Sequence, residues 1–271
     1  MKRIVIMALC AVVALGSVFA GGKKDAGSGG DKSWEYIRNR KKMILGLDDS
    51  FPPMGFRNEN NEIVGYDVDL AKEVAKRLGV ELVLQPIDWN AKEQELNTKE
   101  IDCIWNGFTI TEERKQVISY TPPYLKNAQV IVVKTSSPIR TLADLKGKII
   151  GLQAGSSSVD ALDEAVELKA GVKEVIEYKD YLTALMDLDV GGVDGILIDL
   201  VVANDNINRS GKAFRILDET LVAEEFGIGF RKGELALVDK VWQTLLDMAK
   251  DGTVASISTK WLGADISLIG K

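Results

Sequence analysis

The stretch DVDLAKEVAKRLGVELVLQ, residues 67–85, decides the fold class. Its first part repeats apolar residues at helical spacing, starts with acidic residues and ends with basic residues followed by Gly79. Charges of this kind complement the helix dipole and glycine ends a helix, so the pattern predicts a helix over 67–78. The run 80–85 that follows is short and apolar, which predicts a strand. A helix that leads directly into a strand is the repeating unit of an α/β protein.

The same alternation continues outward in both directions along the chain. Short β-rich runs alternate with helical segments, which predicts a largely parallel sheet covered by helices. The predicted strands lie near 43–48, 80–85, 101–106, 128–134, 148–152, 173–178, 193–198 and 225–230. Another helix is predicted after Thr141, whose spacing to Asp144 resembles a capping box, and two more over 234–262.

The first twenty residues have the pattern of a secretory signal peptide. Lys2-Arg3 precedes the apolar run 4–15, and small residues stand at the two positions that determine cleavage. The run is shorter than the ~20 residues that a spanning helix needs, which disfavours a membrane anchor. We therefore predict a signal peptide over 1–20, a flexible tether over 21–33 and a periplasmic or otherwise extracytoplasmic location.

Composition narrows the range of functions. The chain has 271 residues, enough for two ordinary domains after the signal peptide is removed. Its net charge of −6 disfavours nucleic acid and anionic membranes as partners. The absence of histidine excludes Ser-His-Asp catalysis and most zinc sites, and we expect neither a metal nor a cofactor. Cys103 is the only cysteine beyond the signal peptide, so no intramolecular disulfide is expected.

Three turns carry polar residues that could hold a ligand. The first, NGFTITEER at 106–114, leaves an apolar run and enters a helix. Asn106, Gly107 and Thr109 would point backbone N–H groups and a hydroxyl at one spot, and the planar guanidinium of Arg114 could pair with a carboxylate there. Taken alone, an arginine in a first helical turn is more often a solvated charge.

The second turn, GLQAGSSS at 151–158, ends a β-run in a glycine and three hydroxyls before a helix. Gly155, Ser156 and Ser157 would either present free N–H groups to an anion or only cap the helix. The lysine of a P-loop and the glycine spacing of a dinucleotide site are absent, which disfavours phosphate as the ligand.

The third turn, VDGILID at 193–199, is an apolar strand that ends in an acid. Ligands of open α/β sheets lie beyond the carboxyl ends of strands, so Asp199 is well placed to meet a cation. Capping of the next helix is the alternative role for this side chain.

Four segments of the chain, one of them within the first turn, resemble a known family. The segments 47–53 (LDDSFPP), 65–70 (GYDVDL), 110–114 (ITEER) and 120–124 (YTPPY) resemble the polar amino-acid-binding proteins of ABC importers. The resemblance extends over nearly all of 43–263. The most similar patterns are those of glutamine-, histidine-, cystine- and basic-amino-acid-binding proteins.

The resemblance implies an α/β, two-lobed type II periplasmic-binding fold. One lobe would take residues 34–130 and 224–271, the other residues 131–223, and two crossing strands would form the hinge. A likeness of this kind also implies a monomer that hands its ligand to the permease of an ABC transporter in the membrane.

The resemblance also implies roles for individual residues. Arg114, with the N–H groups of Thr109 and Ser157, would hold the α-carboxylate of an amino acid. Asp199, the hydroxyl of Thr109 and the carbonyl of Gly107 would hold its α-ammonium. The remaining positions that match the family concern the ligand's side chain: Phe51 and Trp89 as the clasping aromatics and Asp48 as the acid at its far end.

These roles agree with what an amino-acid zwitterion requires, because it needs one fixed cation and one fixed anion. The acid at position 48 and the absence of a matching Lys or Arg favour a cationic side chain, although glutamine, histidine or cystine would also fit. Two other functions remain open: an enzyme of this fold similar to cyclohexadienyl dehydratase, and the ligand-binding component of a signalling system.

Overall fold

The computed structural model describes residues 30–271. The predicted signal peptide and the tether residues 21–29 lie outside the described residues. The strands are β1 (Lys42–Leu47), β2 (Ser50–Phe51), β3 (Gly55–Arg57), β4 (Ile63–Val64), β5 (Glu81–Pro86), β6 (Cys103–Ile104), β7 (Ile118–Tyr120), β8 (Leu125–Lys134), β9 (Ile149–Gln153), β10 (Glu174–Tyr178), β11 (Gly195–Asp199), β12 (Phe214–Phe226) and β13 (Gly229–Arg231).

The helices are α1 (Ser33–Arg40), α2 (Tyr66–Leu78), α3 (Lys92–Asn97), α4 (Arg114–Val117), α5 (Ser157–Glu164), α6 (Val166–Gly171), α7 (Tyr181–Val190), α8 (Leu200–Ser210), α9 (Leu235–Lys250) and α10 (Thr253–Leu262). Two short 3₁₀ turns cover Trp89–Ala91 and Leu142–Leu145. The mixture of helices and sheets confirms the predicted α/β class.

The first sheet has the order β5-β1-β6-β13-β7. Strand β1 pairs in parallel with β5 and β6, whereas β13 runs antiparallel to both β6 and β7. Side chains alternate along β1: Met43 and Leu45 enter one buried cluster with α2 and α9, and Ile44 packs against a cluster on the opposite face. Both faces of this sheet are therefore covered.

The second sheet has the order β10-β9-β11-β8-β12. Its first three strands are parallel, and β8 runs antiparallel to both β11 and β12. Alternate residues of β8 again enter different clusters, Val130 and Val132 on one face and Ile131 and Val133 on the other. Half of the strand pairings in the two sheets are antiparallel, so the prediction of a largely parallel sheet was too simple.

Two long strands, β8 and β12, connect the parts of the chain that form the two sheets. Strands β8 and β12 are paired, with Lys134 opposite Phe214 at one end and Leu125 opposite Phe226 at the other. Thr109, which follows β6 of the first sheet, forms an isolated β-bridge with Phe226. The predicted lobe boundaries at 130/131 and 223/224 fall inside these two strands. These lobe boundaries stay a prediction.

Several predicted elements are confirmed. The helix over 67–78 is α2, which ends at Gly79 in the left-handed conformation (φ 67°). The Thr141 capping box is present with Asp144, although the turn that it caps is 3₁₀. The predicted pair of C-terminal helices is α9 and α10.

One predicted strand was wrong and another was too long. The run 225–230 is interrupted, because β12 ends at Phe226 and β13 begins at Gly229, in a different sheet. Within 101–106, only Cys103–Ile104 forms a strand. The short hairpin sheet β2-β3-β4 had no predicted counterpart.

The interior contains one cysteine among the described residues. Cys103 lies on β6 and is fully buried as a free thiol. Within residues 30–271, no helix has the length and hydropathy to cross a membrane. The same residues contain no group of three His, Cys, Asp or Glu side chains that could hold a metal ion.

Candidate functional site

The first polar turn begins where β6 ends. Gly107 has φ 55°, and its N–H donates to the buried carboxylate of Asp67 at 2.7 Å. A Cβ at this position would approach the rings of Phe51 and Phe226 to 2.8 and 3.2 Å. Glycine is therefore required both by the backbone conformation and by the close approach of the two rings.

Arg114 is buried at the start of α4, with the hydroxyl of Thr111 accepting its N–H at 3.1 Å. Its guanidinium lies 5.0 Å from the centre of the Phe108 ring and donates to the carbonyl oxygens of Thr109 at 3.1 Å and Gly155 at 3.2 Å. Its nearest carboxylate, that of Asp160, is 3.9 Å away. Neutral carbonyls hold the guanidinium in place, so its charge can still attract an anion.

The second turn leads into α5. The hydroxyl of Ser156 caps this helix by accepting from the N–H of Ser158 at 3.3 Å, and it donates to the carbonyl of Gln153 at 2.7 Å. The hydroxyl of Ser157 donates to the hydroxyl of Thr109 at 3.1 Å. This contact brings the end of the second sheet against the turn that leaves the first sheet. The capping alternative is therefore correct for Ser156, and Ser157 points elsewhere.

Asp199 lies at the carboxyl end of β11, and its side chain makes no capping hydrogen bond to α8. It instead accepts from Asn127 Nδ2 at 2.6 Å and from Gln129 Nε2 at 3.1 Å. Burial raises the pKa of this carboxyl well above its ordinary value, and the nearby charge of Glu224 raises the pKa further. Helix capping is therefore not the role of this residue.

Two aromatic side chains form further parts of the same wall. Phe51 packs against Tyr181 with ring centres 5.9 Å apart, and Trp89 meets Phe108 edge-on at 5.8 Å. Both side chains are at least nine-tenths buried. Packed rings of this kind provide a rigid apolar surface for the methylene groups of a ligand.

These groups line a small cavity of about 10 Å³. The cavity is lined by Phe51, Trp89, Gly107, Thr109, Arg114, Gln153, Ser156, Ser157 and Asp199. Eight of these nine residues are among the eleven predicted site residues. The cavity thus combines one arginine, one aspartate, two aromatic rings and several hydroxyls.

The other three predicted residues, Asp48, Asn106 and Gly155, do not line this cavity but support its walls. Asp48 Oδ2 accepts from the side chain of Gln153 at 2.7 Å. Asn106 Oδ1 accepts from the backbone N–H of Asp48 at 3.1 Å. The carbonyl of Gly155 holds Arg114, and the φ of Gly155 is 67°.

Asp48 also faces an adjoining crevice, which shares Trp89 with the cavity. Burial, together with the charges of Asp180 and Asp49, raises the pKa of Asp48 to about 6, against the hydrogen bonds from Ser50 and Gln153. A cation in this crevice would stabilise the carboxylate form.

Sequence reasoning missed three polar side chains at the site. Gln153 lines the cavity. It lies in the second turn, in which only the glycine and the serines were predicted to contact a ligand. Lys92 is buried and donates to the carbonyl of Gly155 at 2.7 Å; burial and the charge of Arg114 lower its pKa to about 8. Glu224 lies in a strand of alternating polar residues, where it looks like a solvent-facing acid.

Comparisons with known proteins identify the family that this chain matches. The family model for bacterial extracellular solute-binding proteins, family 3, matches residues 43–264. The L-cystine-binding protein TcyJ of Escherichia coli is 34% identical over 233 residues, which are 85% of this chain and 86% of the relative.

Two crystal structures are similar over nearly their whole length. The structure of Tv2483 bound to L-arginine has a TM-score of 0.85 at 35% identity. The match covers 89% of this chain and 99% of the Tv2483 chain. An ABC uptake transporter substrate-binding protein from Streptococcus pneumoniae, with bound histidine, has a TM-score of 0.85 at 38% identity. The match covers 88% of this chain and 99% of the pneumococcal chain.

Proposed function

This chain belongs to the bacterial extracellular solute-binding proteins of family 3, and on that premise we propose that it captures a polar amino acid for the permease of an ABC importer. Its relatives and structural neighbours are described as binding cystine, arginine or histidine. These ligands share an α-carboxylate and an α-ammonium and differ in the side chain. The proposal therefore rests on the part of the cavity that would hold the α-carboxylate and the α-ammonium.

The observation that carries the proposal is the pairing of Arg114 and Asp199 on the wall of one small cavity. Both side chains are less than 10% exposed. The carboxylates nearest to Arg114 are those of Asp160 at 3.9 Å and Glu93 at 4.0 Å, and Asp199 forms no salt bridge among the described residues. A zwitterion supplies one charge for each of them. A ligand that brings a carboxylate to Arg114 and an ammonium to Asp199 pairs both ends of the site.

Ligand capture would join the two sheets. Arg114 and Thr109 belong to the part of the chain that precedes β8, whereas Ser157 and Asp199 belong to elements of the second sheet. An amino acid that contacts both groups binds the closed arrangement more strongly than an open one. That difference in affinity would drive closure.

For the ligand's side chain, we rank basic amino acids first. Phe51 and Trp89 can pack on the methylenes or the guanidinium of arginine, a contact worth roughly 0.5–2 kcal/mol. Asp48, with Asp49 and Asp180 near it, lies beside Trp89 and favours a cationic end group. The expectation that no Lys or Arg lies there was wrong, because Lys179 lines the same crevice and offsets part of its negative charge. Glutamine, histidine and cystine remain compatible with the same slot.

A thermal-shift screen of the twenty amino acids with ornithine, citrulline and cystine tests the proposal. A true ligand at one hundred times its dissociation constant should add about 2.7 kcal/mol to the free energy of unfolding. Failure of every amino acid to stabilise the protein would contradict the proposal. Turnover of prephenate or arogenate, followed by absorbance, would favour the dehydratase alternative instead.

Location and assembly complete the proposal. We expect export through cleavage after Ala20, so that N-terminal sequencing of secreted protein reads from Gly21. We expect a monomer, which light scattering after size-exclusion chromatography would measure. An intact Met1 on exported protein would contradict the predicted cleavage.

A further inference from the structure

A second carboxylate lies behind the cavity wall, next to Asp199. Glu224 is carried by β12, and its Oε2 accepts from the hydroxyl of Thr109 at 3.1 Å. The side-chain nitrogen of Asn127 donates both to Asp199 at 2.6 Å and to Glu224 at 3.0 Å. The side-chain nitrogen of Gln129 does the same, at 3.1 and 3.0 Å. The two carboxylates therefore lie within two hydrogen-bond lengths of each other.

The charges around this pair do not neutralise it. Among the described residues, no Lys or Arg forms a salt bridge with either acid; Arg114 acts on Asp199 only at longer range. From α7, Asp199 is faced by the phenol of Tyr181. The crevice that Glu224 lines also contains the acids Glu112, Glu113, Asp160 and Glu164. The neighbourhood is thus predominantly acidic.

Asp199 is buried and Glu224 is half-buried, and two like charges this close cannot both be ionised without a cost in free energy. Asp199 is the more buried of the two, and burial together with the charge of Glu224 raises its pKa. The proton of the pair therefore resides on Asp199 when no ligand is bound. Thr109, Asn127 and Gln129 donate three hydrogen bonds to the Glu224 carboxylate, whereas Asp199 receives two from the same side-chain amides.

We propose that Glu224 keeps a proton on the Asp199 carboxyl of the empty site, and that the α-ammonium of the bound amino acid displaces this proton into solvent. This inference rests on the proposed function. In the step, the O–H bond of Asp199 breaks, the proton leaves to water or buffer, and the carboxylate accepts an N–H of the ammonium. The ligand keeps all its own protons.

Glu224 is a positioning residue in this step, because it does not line the cavity and acts through Asp199. Protons and ligand compete for one carboxylate, so linkage requires that affinity falls as pH falls wherever binding releases protons. An acidic medium would therefore favour release of the amino acid.

Isothermal titration calorimetry with L-arginine tests the inference. Titrations in phosphate and in Tris at equal pH and ionic strength give the number of protons released from the dependence of the binding enthalpy on the buffer's ionisation enthalpy. The variants are Glu224→Gln and, as a matched control, Glu225→Gln, whose exposed side chain makes none of these contacts. Asp48 is present in all three proteins, so its contribution cancels in the comparison.

We expect the wild type and Glu225→Gln to release equal amounts, up to about one proton per ligand near neutral pH. Glu224→Gln should bind but release at most half as many protons, with maximal release at lower pH. If Glu224→Gln does not fold, Glu224→Asp, whose shorter side chain withdraws the charge, should give an intermediate count.

Each other outcome has a clear meaning. Equal proton counts in Glu224→Gln and the control, or no release by the wild type between about pH 5 and 8, would overturn the inference while leaving amino-acid binding intact. Absence of binding by every amino acid in the wild type would overturn the proposed function, and the inference with it.

Discussion

Arg114 is held by two carbonyl oxygens, so its charge is positioned before any ligand arrives. Replacing it by alanine should leave the ligand carboxylate buried without a partner. We expect Arg114→Ala to weaken binding by about 3–5 kcal/mol, or roughly two to four orders of magnitude in affinity. Calorimetry measures the loss, and Lys115→Ala, which changes an exposed neighbour, should bind normally. Near-normal affinity of Arg114→Ala would mean that the carboxylate binds elsewhere.

Asp48 should make the preference for a cationic side chain depend on pH. Its pKa is raised to about 6, so the carboxylate is charged above this pH and neutral below it. L-citrulline resembles arginine but lacks its charge. The ratio of arginine to citrulline affinity should therefore fall as pH falls through about 6 in the wild type and stay constant in Asp48→Asn. A ratio that does not change with pH in the wild type would contradict the assignment of this acid to the ligand's side chain.

At the scale of residues, the sequence located the charged ends of the site but not the groups behind them. Arg114 and Asp199 follow strands at turns, where local pattern is informative. Glu224 lies on a polar strand and Lys92 is the first residue of α3, and their roles depend on partners far away in sequence. No local spacing distinguishes such a residue from an exposed charge.

At the scale of elements, the turn before α5 depends on Gly155. Its φ is 67°, and a Cβ there would lie 2.9 Å from Asn90 Oδ1 and 3.0 Å from Asn90 Cα. Gly211 has a similar φ of 64° with nothing within 4 Å of the same position. Each change to alanine should cost about 1–2 kcal/mol of stability because of the left-handed backbone.

Only Gly155→Ala should also weaken amino-acid binding, by about tenfold or more, because the carbonyl that holds Arg114 and Lys92 must shift. Chemical denaturation and calorimetry separate the two effects. Equal affinities for Gly155→Ala and Gly211→Ala would show that the turn can shift without disturbing the site.

Elements were predictable where one stretch of sequence decides them. Helix α2 carries its own charges and its own stop at Gly79, and it forms where predicted. The run 225–230 looks like one strand, but Phe226 pairs with Leu125 in one sheet and Gly229 pairs with Ile104 in the other. A change of sheet within three residues is decided by tertiary pairing, which a local pattern does not contain.

At the scale of the whole molecule, buried acids should make stability depend on pH. Asp67 is fully buried, and desolvation raises its pKa to about 7, so the folded state holds a proton that the unfolded state loses near pH 4. More protons are bound in the folded state between these values. The contribution of Asp67 to the free energy of unfolding is therefore greatest at low pH and decreases as pH rises from about 4 to about 7.

The variant Asp67→Asn should lack this pH dependence. Relative to its value at low pH, its free energy of unfolding at pH 8 should exceed that of the wild type by up to about 4 kcal/mol. Urea denaturation at several pH values measures it, and Glu59→Gln, an exposed change, should keep the wild-type slope. If the free energy of unfolding varied with pH in the same way in Asp67→Asn and in the wild type, Asp67 would be ionised over the whole pH range.

The buried thiol of Cys103 has a practical consequence. Burial raises its pKa, so maleimides and similar reagents find no reactive, accessible sulfur in the described part of the chain. A single engineered thiol, such as Glu112→Cys in the crevice beside the cavity, would then be the one labelling point after export. An environment-sensitive dye attached there would report ligand capture by fluorescence, which would make this receptor a reagentless amino-acid sensor.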